Sequence, residues 1–165
     1  MQIKIRELDI SDIDFILEIE NNKDIWRVSH TTTEFTKSEI EQFIAKNIID
    51  GLENEQKRWV ITANKESCGC IDIFDFDKQN QRAGIGIVIH NDFQNKRIAT
   101  KALKKFLRIC KKELKLNQLY CSIIPDNNSS IKLFTKQGFK ETGVRKEWTF
   151  YNGEWFDEIF YQLKL

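Results

Sequence analysis

Three segments in the middle of the chain are rich in β-branched and aromatic residues and are separated only by short polar turns. They cover residues 58–63, 68–76 and 82–90. Because such short connections join neighbouring antiparallel strands, the pattern predicts a three-stranded antiparallel meander. From Ile98 to Leu114, apolar residues recur at helical spacing with lysines on the opposite side. This spacing predicts a long amphipathic helix that packs against the meander.

The first third of the chain predicts one strand and two helices. Residues 2–8 alternate as a strand does. Ser11 with Asp14, and Thr36 with Glu39, are capping pairs of the kind that starts a helix. The second helix places four apolar residues on one face: Ile40, Phe43, Ile44 and Ile48.

The last third predicts a buried strand, a helix and a hairpin. The strand covers residues 119–124 and the helix residues 127–138. Two closing strands, over 139–151 and 154–163, are joined at Asn152-Gly153, the strongest two-residue hairpin signal. The resulting order is β-α-α-β-β-β-α-β-α-β-β, which is a mixed α/β architecture. A chain of 165 residues fits one domain over residues 1–165.

Composition narrows the class of protein. Lys and Arg total 26 against 25 Asp and Glu, so the net charge of +1 gives no overall attraction to nucleic acid or to an anionic membrane. No apolar stretch approaches the ~20 residues of a membrane helix, and the N-terminus does not look like a signal peptide. We therefore expect a soluble, unprocessed, cytoplasmic protein.

The four cysteines do not predict a metal site. Cys68, Cys70, Cys110 and Cys121 match no zinc-binding spacing, and the chain has only two histidines. We expect reduced thiols that pack as small apolar groups, with Cys121 as the one that could lie near an active site. No metal is expected.

The segment 90–100 joins the end of a strand to the start of the long helix. A helix N-terminus exposes unpaired backbone N–H groups and the positive end of the helix dipole, which suits a pyrophosphate. Lys96 and Arg97 add charge there, and residues 96–115 carry nine basic side chains and one acidic one. A solvated basic helix face would explain the charge as well, so charge alone leaves both readings open.

Two motifs in the chain resemble the cofactor-binding sequences of the GCN5-related N-acetyltransferase (GNAT) superfamily. Gln94-x-x-Arg97-x-Ala99 resembles its acetyl-CoA loop, Arg/Gln-x-x-Gly-x-Gly/Ala. The second motif, usually Asn-x-x-Ser-x-x-Leu-Tyr-x-Lys-x-Gly-Phe, is matched by Asn127-x-x-Ser130-x-x-Leu133-Phe134-x-Lys136-x-Gly138-Phe139. The resemblance extends from Ile3 to the C-terminus and is strongest to ribosomal-protein N-terminal acetyltransferases and bacterial spermidine acetyltransferases. It implies a mostly antiparallel sheet of about seven strands with helices on both faces.

The same resemblance implies acetyl-CoA-dependent acetylation of a primary amine on a protein N-terminus, a polyamine or another small amine. Direct attack of the amine on the thioester is the expected route. Strand residues 87–89 would pair their backbones with the pantetheine amides as an added strand does. The implied cofactor-binding residues are Ile87, Val88, Ile89, Gln94, Asn95, Lys96, Arg97, Ile98, Ala99, Thr100, Asn127, Phe134 and Lys136.

Two residues depart from the family pattern. Arg97 stands where a glycine is common, so either the loop has an α-like geometry and the guanidinium reaches a phosphate, or cofactor binding is weak. We expect the first. Phe134 replaces a tyrosine that returns a proton to the CoA thiolate. Because a thiol has a pKa near ~8.5, the thiolate can leave without that acid.

The acceptor amine must lose a proton. Asp72, Asp75 and Glu147 are candidate bases, with Glu147 preferred, although a salt bridge or an exposed strand end would explain each carboxylate. Ser130 is a candidate acid, although a helix-stabilising hydroxyl would explain it too. Alternation along the strand predicts that Asp72 and Asp75 face opposite sides unless a bulge intervenes. Gly84 stands where the spermidine branch often has glutamate, which weakens a polyamine assignment.

The acceptor is expected between the N-terminal helices and the closing hairpin. Residues 1–54 contain twelve acids and six bases, which favours a cationic acceptor, although a solvated acidic face explains this too. A loop over residues 23–35 faces this side. The candidate acceptor-binding residues are Trp26, His30, Glu34 and Asp75, with His30 also a candidate base.

The alternative is a non-catalytic module that binds acyl-CoA or nucleic acid. A nucleic-acid module should interleave aromatic residues with its basic ones, but the basic helix offers only Phe106, on its apolar side. We therefore expect no nucleic acid and no membrane among the partners. A homodimer is one of the oligomeric states that the sequence leaves open.

Overall fold

A computed structural model describes all residues 1–165 and places seven strands in one sheet, in the order β1-β2-β3-β4-β5-β7-β6. The strands are β1 Ile3–Glu7, β2 Lys57–Ala63, β3 Glu66–Asp77, β4 Arg82–Ile89, β5 Gln118–Ile123, β6 Lys140–Tyr151 and β7 Glu154–Lys164. The helices are α1 Ile13–Glu20, α2 Trp26–Ser29, α3 Lys37–Asp50, α4 Ile98–Lys112 and α5 Asn128–Lys136. The predicted order is confirmed, with α2 as an addition inside the expected loop. None of these helices combines the length and apolar character needed to cross a lipid bilayer.

Helices cover both faces of the sheet, as the resemblance implied. On one face α4 and α5 pack onto a core of 21 buried residues that includes Phe106 and Phe134. On the other face α1 and α3 cover a smaller cluster of seven, including Ile16 and Ile44. The second face is covered only over the first strands, so its part above β4, β5 and β7 is open to form a site.

The predicted start of α3 is confirmed, and that of α1 is wrong. Thr36 and Glu39 form a capping box, with the Thr36 N–H donating to Glu39 Oε2 at 2.7 Å. Before α1 the box is made by Asp9 and Asp12 instead of Ser11 and Asp14. Asp12 is buried and paired with Arg6 at 2.7 Å, which fixes the first turn two residues earlier than predicted.

The apolar face of α3 is only partly buried. Ile40 and Ile44 are buried, but 53% of Ile48 is exposed. The helix extends beyond the cluster that it covers, so its last turn has no partner on that side.

All neighbouring strands are antiparallel except β4 and β5. These two run parallel and pair only over 82–84 with 118–120. Beyond Gly84 they diverge, because β4 continues along β3 while β5 continues along β7. The sheet therefore contains a gap that widens towards Ile89.

Hydrogen-bond alternation shows which backbone groups face the gap. The His90 N–H donates to the Cys68 carbonyl at 2.9 Å, so alternate β4 residues at 84, 86 and 88 point their amides towards β3. Beyond the segment that pairs with β5, the N–H and C=O groups of Ile87 and Ile89 consequently face the gap. The Ile89 carbonyl is consistent with this direction, because it accepts a hydrogen bond from the side chain of Gln94 (Nε2) at 3.3 Å and none from β3.

Gly84 is required by the ring of Phe74. The two residues are cross-strand partners, and a Cβ built on Gly84 would lie 2.1 Å from the Phe74 ring. At Gly86, two residues further along, the nearest atom is 3.9 Å away. The aromatic ring therefore occupies the space of the side chain that Gly84 lacks.

We expect Gly84→Ala to lower the free energy of unfolding by about 1–3 kcal/mol, because the added methyl group overpacks the site against Phe74. Gly86→Ala is the matched control and should leave the stability unchanged or raise it by ~0.4–1 kcal/mol, since it removes only unfolded-state freedom. Urea unfolding measures both. Equal effects at the two positions would contradict the assignment, and a Phe74→Ala change should rescue Gly84→Ala.

Candidate active site

A cleft of about 1830 Å³ opens where β4 and β5 diverge. Its walls come from the loop before α3, strands β3 to β5, the start of α4 and the start of α5. Seven acidic side chains and seven lysines or arginines line it. The cleft as a whole is thus electrically balanced, unlike the acidic N-terminal third of the sequence.

The start of α4 offers free backbone amides to the cleft. The first hydrogen bond of the helix is donated by the Lys101 N–H to the Arg97 carbonyl at 3.2 Å. The amides of Ile98, Ala99 and Thr100 have no protein acceptor, and all three residues line the cleft. An anion placed here would meet several N–H donors and the positive end of the helix dipole.

The expected α-like geometry of Arg97 is wrong. Arg97 is left-handed, with φ of 59°, and so is Asn95, with φ of 61°. The chain must reverse sharply between the turn at 91–93 and α4, and two left-handed residues make that reversal. Asn tolerates this conformation, whereas Arg bears a backbone cost that glycine would not. The Arg97 side chain nevertheless lines the cleft.

Lys96 and Gln94 support the loop in different ways. Lys96 donates to the Asp92 carbonyl at 2.8 Å and lies over the ring of Phe93, and it does not line the cleft. Gln94 lines the cleft and bonds to Ile89 and to Asn91 Oδ1, the latter at 3.0 Å. Lys96 therefore stabilises the loop from within, and Gln94 connects the loop to the gap-facing edge of β4 by a hydrogen bond.

The second motif forms the start of α5. Asn127 caps the helix by accepting the Ser130 N–H at 3.3 Å, and Asn127, Ser130 and Lys136 all line the cleft. Phe134 does not. Its ring is buried in the core at 5.1 Å from the ring of Phe139. The structure thus separates Phe134 from the other residues of the motif.

A bulge in β3 brings two of its three aspartates to the cleft. The register shifts between Phe74 and Asp77, and Asp75 is left-handed with φ of 48°. Asp72 and Asp75 consequently both line the cleft, which resolves the alternative that the sequence left open.

Each of these aspartates already has a partner. Asp72 makes two bonds of 2.7 Å to the guanidinium of Arg58, which also pairs with Glu20. Asp75 accepts the hydroxyl proton of Tyr120. Burial, followed by that bond, raises the pKa of Tyr120 well above its usual range. Both carboxylates therefore already accept hydrogen bonds from protein groups.

Three other predicted residues lie away from the cleft. Glu147 is exposed in a bulge of β6 between Arg145 and Thr149, and its N–H donates to Asp157 Oδ1 at 2.8 Å. Trp26 is buried, with its indole N–H donating to the Glu20 carbonyl at 2.9 Å. Glu34 pairs with Lys23 at 3.2 Å on the surface. The structure brings none of the three to the site.

A carboxylate that the sequence did not single out lies beside His30. Glu158 on β7 is only 5% exposed, accepts the Thr149 hydroxyl at 2.8 Å and has its Oε1 at 3.4 Å from His30 Nε2. Both His30 and Glu158 line the cleft. A signal for Glu158 was present in the sequence, since it lies between Phe156 and Phe160 at alternate positions of a strand. An acid on such an apolar face needs a partner or a role when it is buried.

The cysteines are structural. All four are free and buried, as predicted, and none except Cys70 lines the cleft. Burial raises the pKa of Cys121 to about 12, so its thiol is not ionised near neutral pH and is a poor nucleophile. No group of three His, Cys, Asp or Glu side chains lies together in an arrangement that could hold a metal ion.

Comparison with known proteins agrees with this geometry. Spermidine N(1)-acetyltransferase of Escherichia coli is 25% identical over 95% of this chain and 83% of its own length. A crystal structure of Vibrio cholerae spermidine N-acetyltransferase with CoA and spermine superposes with a TM-score of 0.91, at 25% identity, over 99% of this chain and 95% of that one. The ribosomal L7/L12 alpha-N-protein acetyltransferase in complex with CoA has the same fold, with a TM-score of 0.88 at 17% identity over 100% and 95% of the two chains. The family model for the acetyltransferase (GNAT) domain matches residues 2–140, so the chain belongs to the GNAT acetyltransferases.

Proposed function

We propose that this acetyltransferase transfers the acetyl group of acetyl-CoA to a primary amine that reaches the cleft from the open face of the sheet. The observation that carries the proposal is the gap between β4 and β5, which presents unpaired backbone groups next to the free amides of α4. Acetyl-CoA, when bound, supplies the activated acetyl group. Two solved structures similar to this protein contain CoA. The rest of the chemistry falls to residues of this chain.

The gap fits the amide-bearing arm of CoA. Ile87 offers an N–H and a C=O group, and Ile89 an N–H group, that no strand of the protein uses, so an extended arm would bond to them as an added strand does. Val88 lines the cleft but directs its own amide towards β3. We therefore assign the pairing role to Ile87 and Ile89 and a wall role to Val88.

The phosphates fit at the start of α4. The free amides of residues 98–100 would hold the pyrophosphate, and the cleft-lining side chains of Arg97, Lys132 and Lys136 would add charge. Gln94 and Asn127 connect this end to the gap. Most of the residues that the family resemblance implied for the cofactor thus border one continuous surface, while Lys96 and Phe134 support it from behind.

The acceptor amine must be deprotonated, and His30 is the residue we assign to this step. A lysine-like ammonium with a pKa of ~10.4 lies about 3 units above neutrality, which costs roughly 4 kcal/mol without help. Asp72 and Asp75 have partners already, and Glu147 lies outside the cleft. His30 is exposed to the cleft and is oriented by Glu158, so it can accept the proton while Glu158 holds the imidazole in place.

In this reaction the amine nitrogen forms a bond to the acetyl carbon as the carbon–sulfur bond breaks. His30 takes the first proton of the ammonium and passes it to solvent, the second proton goes to solvent as the new bond forms, and CoA leaves as its thiolate. A gap-facing N–H of β4 stabilises the negative charge that develops on the acetyl oxygen. We also place the enzyme in the cytoplasm, because four buried free thiols suit a reducing compartment.

The test is an assay of amines with acetyl-CoA, in which free thiol release is followed together with the mass of the product. We expect one thiol released per acetylated amine. His30→Gln should lower kcat by about 10²-fold, within the range of a general base, with CoA affinity unchanged. His90→Gln is the matched control, since His90 pairs with Glu18 outside the cleft and should leave kcat as it is. Absence of product with every amine, although CoA binds, would overturn the proposal.

Replacing Arg97 separates its two effects. Arg97→Gly should raise the free energy of unfolding by about 1 kcal/mol, because glycine adopts the left-handed conformation at little cost. It should also weaken CoA binding about tenfold through loss of a charged phosphate contact. Arg97→Lys keeps the positive charge and the strained backbone. It should therefore change the free energy of unfolding and the CoA affinity less than Arg97→Gly does. Urea unfolding and titration calorimetry make the comparison, and unchanged CoA affinity in the glycine variant would show that the guanidinium does not reach a phosphate.

Adding the family tyrosine at Phe134 should change little. We expect Phe134→Tyr to alter kcat by less than about tenfold, because the ring is buried and a thiolate is a tolerable leaving group near neutral pH. Phe139→Tyr, the same change in the neighbouring ring, controls for the cost of burying a hydroxyl. An increase of ~10²–10⁴-fold in Phe134→Tyr alone would mean that the enzyme lacks an acid that it needs.

A further inference from the structure

Arg145 is a guanidinium in the acceptor part of the cleft that no carboxylate of the protein neutralises. It lies over the rings of Trp148 and Phe160, with its Cζ 4.9 Å from each ring centroid. The other two arginines on this side form salt bridges. Arg27 pairs with Asp126 at 2.6 Å, and Arg58 pairs with Asp72. The two rings hold the Arg145 side chain in place and leave its N–H donors available to an anion in the cleft.

Arg145 and Glu158 stand side by side on the floor of the cleft. They are cross-strand partners on β6 and β7, so their side chains rise from the same face of the sheet. Phe160, over which the guanidinium lies, is two residues beyond Glu158 on that face, a spacing of about 7 Å. The guanidinium of Arg145 and the His30–Glu158 pair thus rise from neighbouring positions of adjacent strands, within reach of one small molecule.

The neighbouring wall is mostly aromatic, and the carboxylate on it, Asp75, already accepts a hydrogen bond. The space above Gly84 is filled by Phe74, whose ring packs edge-on against Tyr120 at 5.8 Å. Tyr120 in turn stacks on Phe160 at 5.0 Å, and its hydroxyl occupies the Asp75 carboxylate. An ammonium that followed this wall would meet aromatic edges and then the positive charge of Arg145.

We propose that the acceptor is a compact zwitterion of the free amino-acid type, with its amine at the His30–Glu158 pair and its carboxylate on Arg145. This inference rests on the proposed function and names the substrate class of the same site. Arg145 takes no part in bond making. It binds the carboxylate through charge-assisted hydrogen bonds, and so positions the amino group before His30 accepts its proton.

The experiment compares amino acids with the amines that lack only their carboxylate. The pairs are L-phenylalanine with phenethylamine and L-methionine with 3-(methylthio)propylamine, and spermidine is a third class of acceptor. With acetyl-CoA saturating, kcat/KM should be higher for the amino acid in each pair and higher than for spermidine. Arg145→Gln should reduce the preference for the amino acid about 10–100-fold, mostly through KM, as expected for loss of a charged hydrogen-bonded contact.

Lys146→Gln is the matched control, because it removes one positive charge from the next residue of β6. Lys146 pairs with Asp157 at 2.9 Å and does not line the cleft, so the preference should not change. CoA affinity, measured by calorimetry, reports whether the Arg145 variant is folded. In addition, L-phenylalanine should raise the Tm of the CoA-bound wild type and not that of Arg145→Gln.

Two results would overturn the inference. One is a preference for the decarboxylated amines or for spermidine, and the other is an equal loss of preference in the two variants. In either case transfer to amines would persist and the proposed function would stand. Absence of transfer to every amine tested, charged or neutral, would instead remove the proposed function and this inference together.

Discussion

The divergence of β4 from β5 is the feature on which the site depends. Three residue pairs hold the two strands together, and beyond Gly84 each strand follows a different neighbour. Backbone hydrogen-bonding groups are almost always paired in a protein interior, so a row of unpaired ones facing a cleft requires a ligand or water. The long helix α4 begins at the mouth of this gap, and its free amides extend the same row of donors. Strand edge and helix end therefore form one surface for a chain of amides that ends in phosphate.

Local sequence signals predicted nearly all of the fold. The Asn152-Gly153 hairpin forms with both residues at positive φ, and the capping pair at Thr36 and Glu39 starts α3 as expected. These features depend on residues a few positions apart, and the chemistry of each is local. The start of α1 was missed because the buried Asp12 pairs with Arg6 on the preceding strand, a contact that the capping pattern does not include.

The site was predicted less completely, because its decisive contacts are made between elements. Strand alternation could not place Asp75, since the bulge that turns it towards the cleft has no sequence marker. His30 and Glu158 are 128 positions apart in the chain and meet only after the sheet has formed. Glu147 was a candidate base on β6, yet a second bulge leaves it exposed outside the cleft. The residues to which we assign a backbone role were identified by motif. Of those to which we assign a side-chain role towards the acceptor, His30 was a candidate from the sequence, whereas Glu158 and Arg145 were identified only by the structure.

An open gap inside a sheet also creates two strand edges, and exposed edges are the places where proteins aggregate by β-pairing. In this protein, the edge of β4 lines a cleft whose other walls include the loop before α3, the start of α4 and the start of α5. Covering an edge with helices and loops is one of the ways in which proteins limit such pairing. The elements that shape the cleft therefore also shield the strand edge that it exposes.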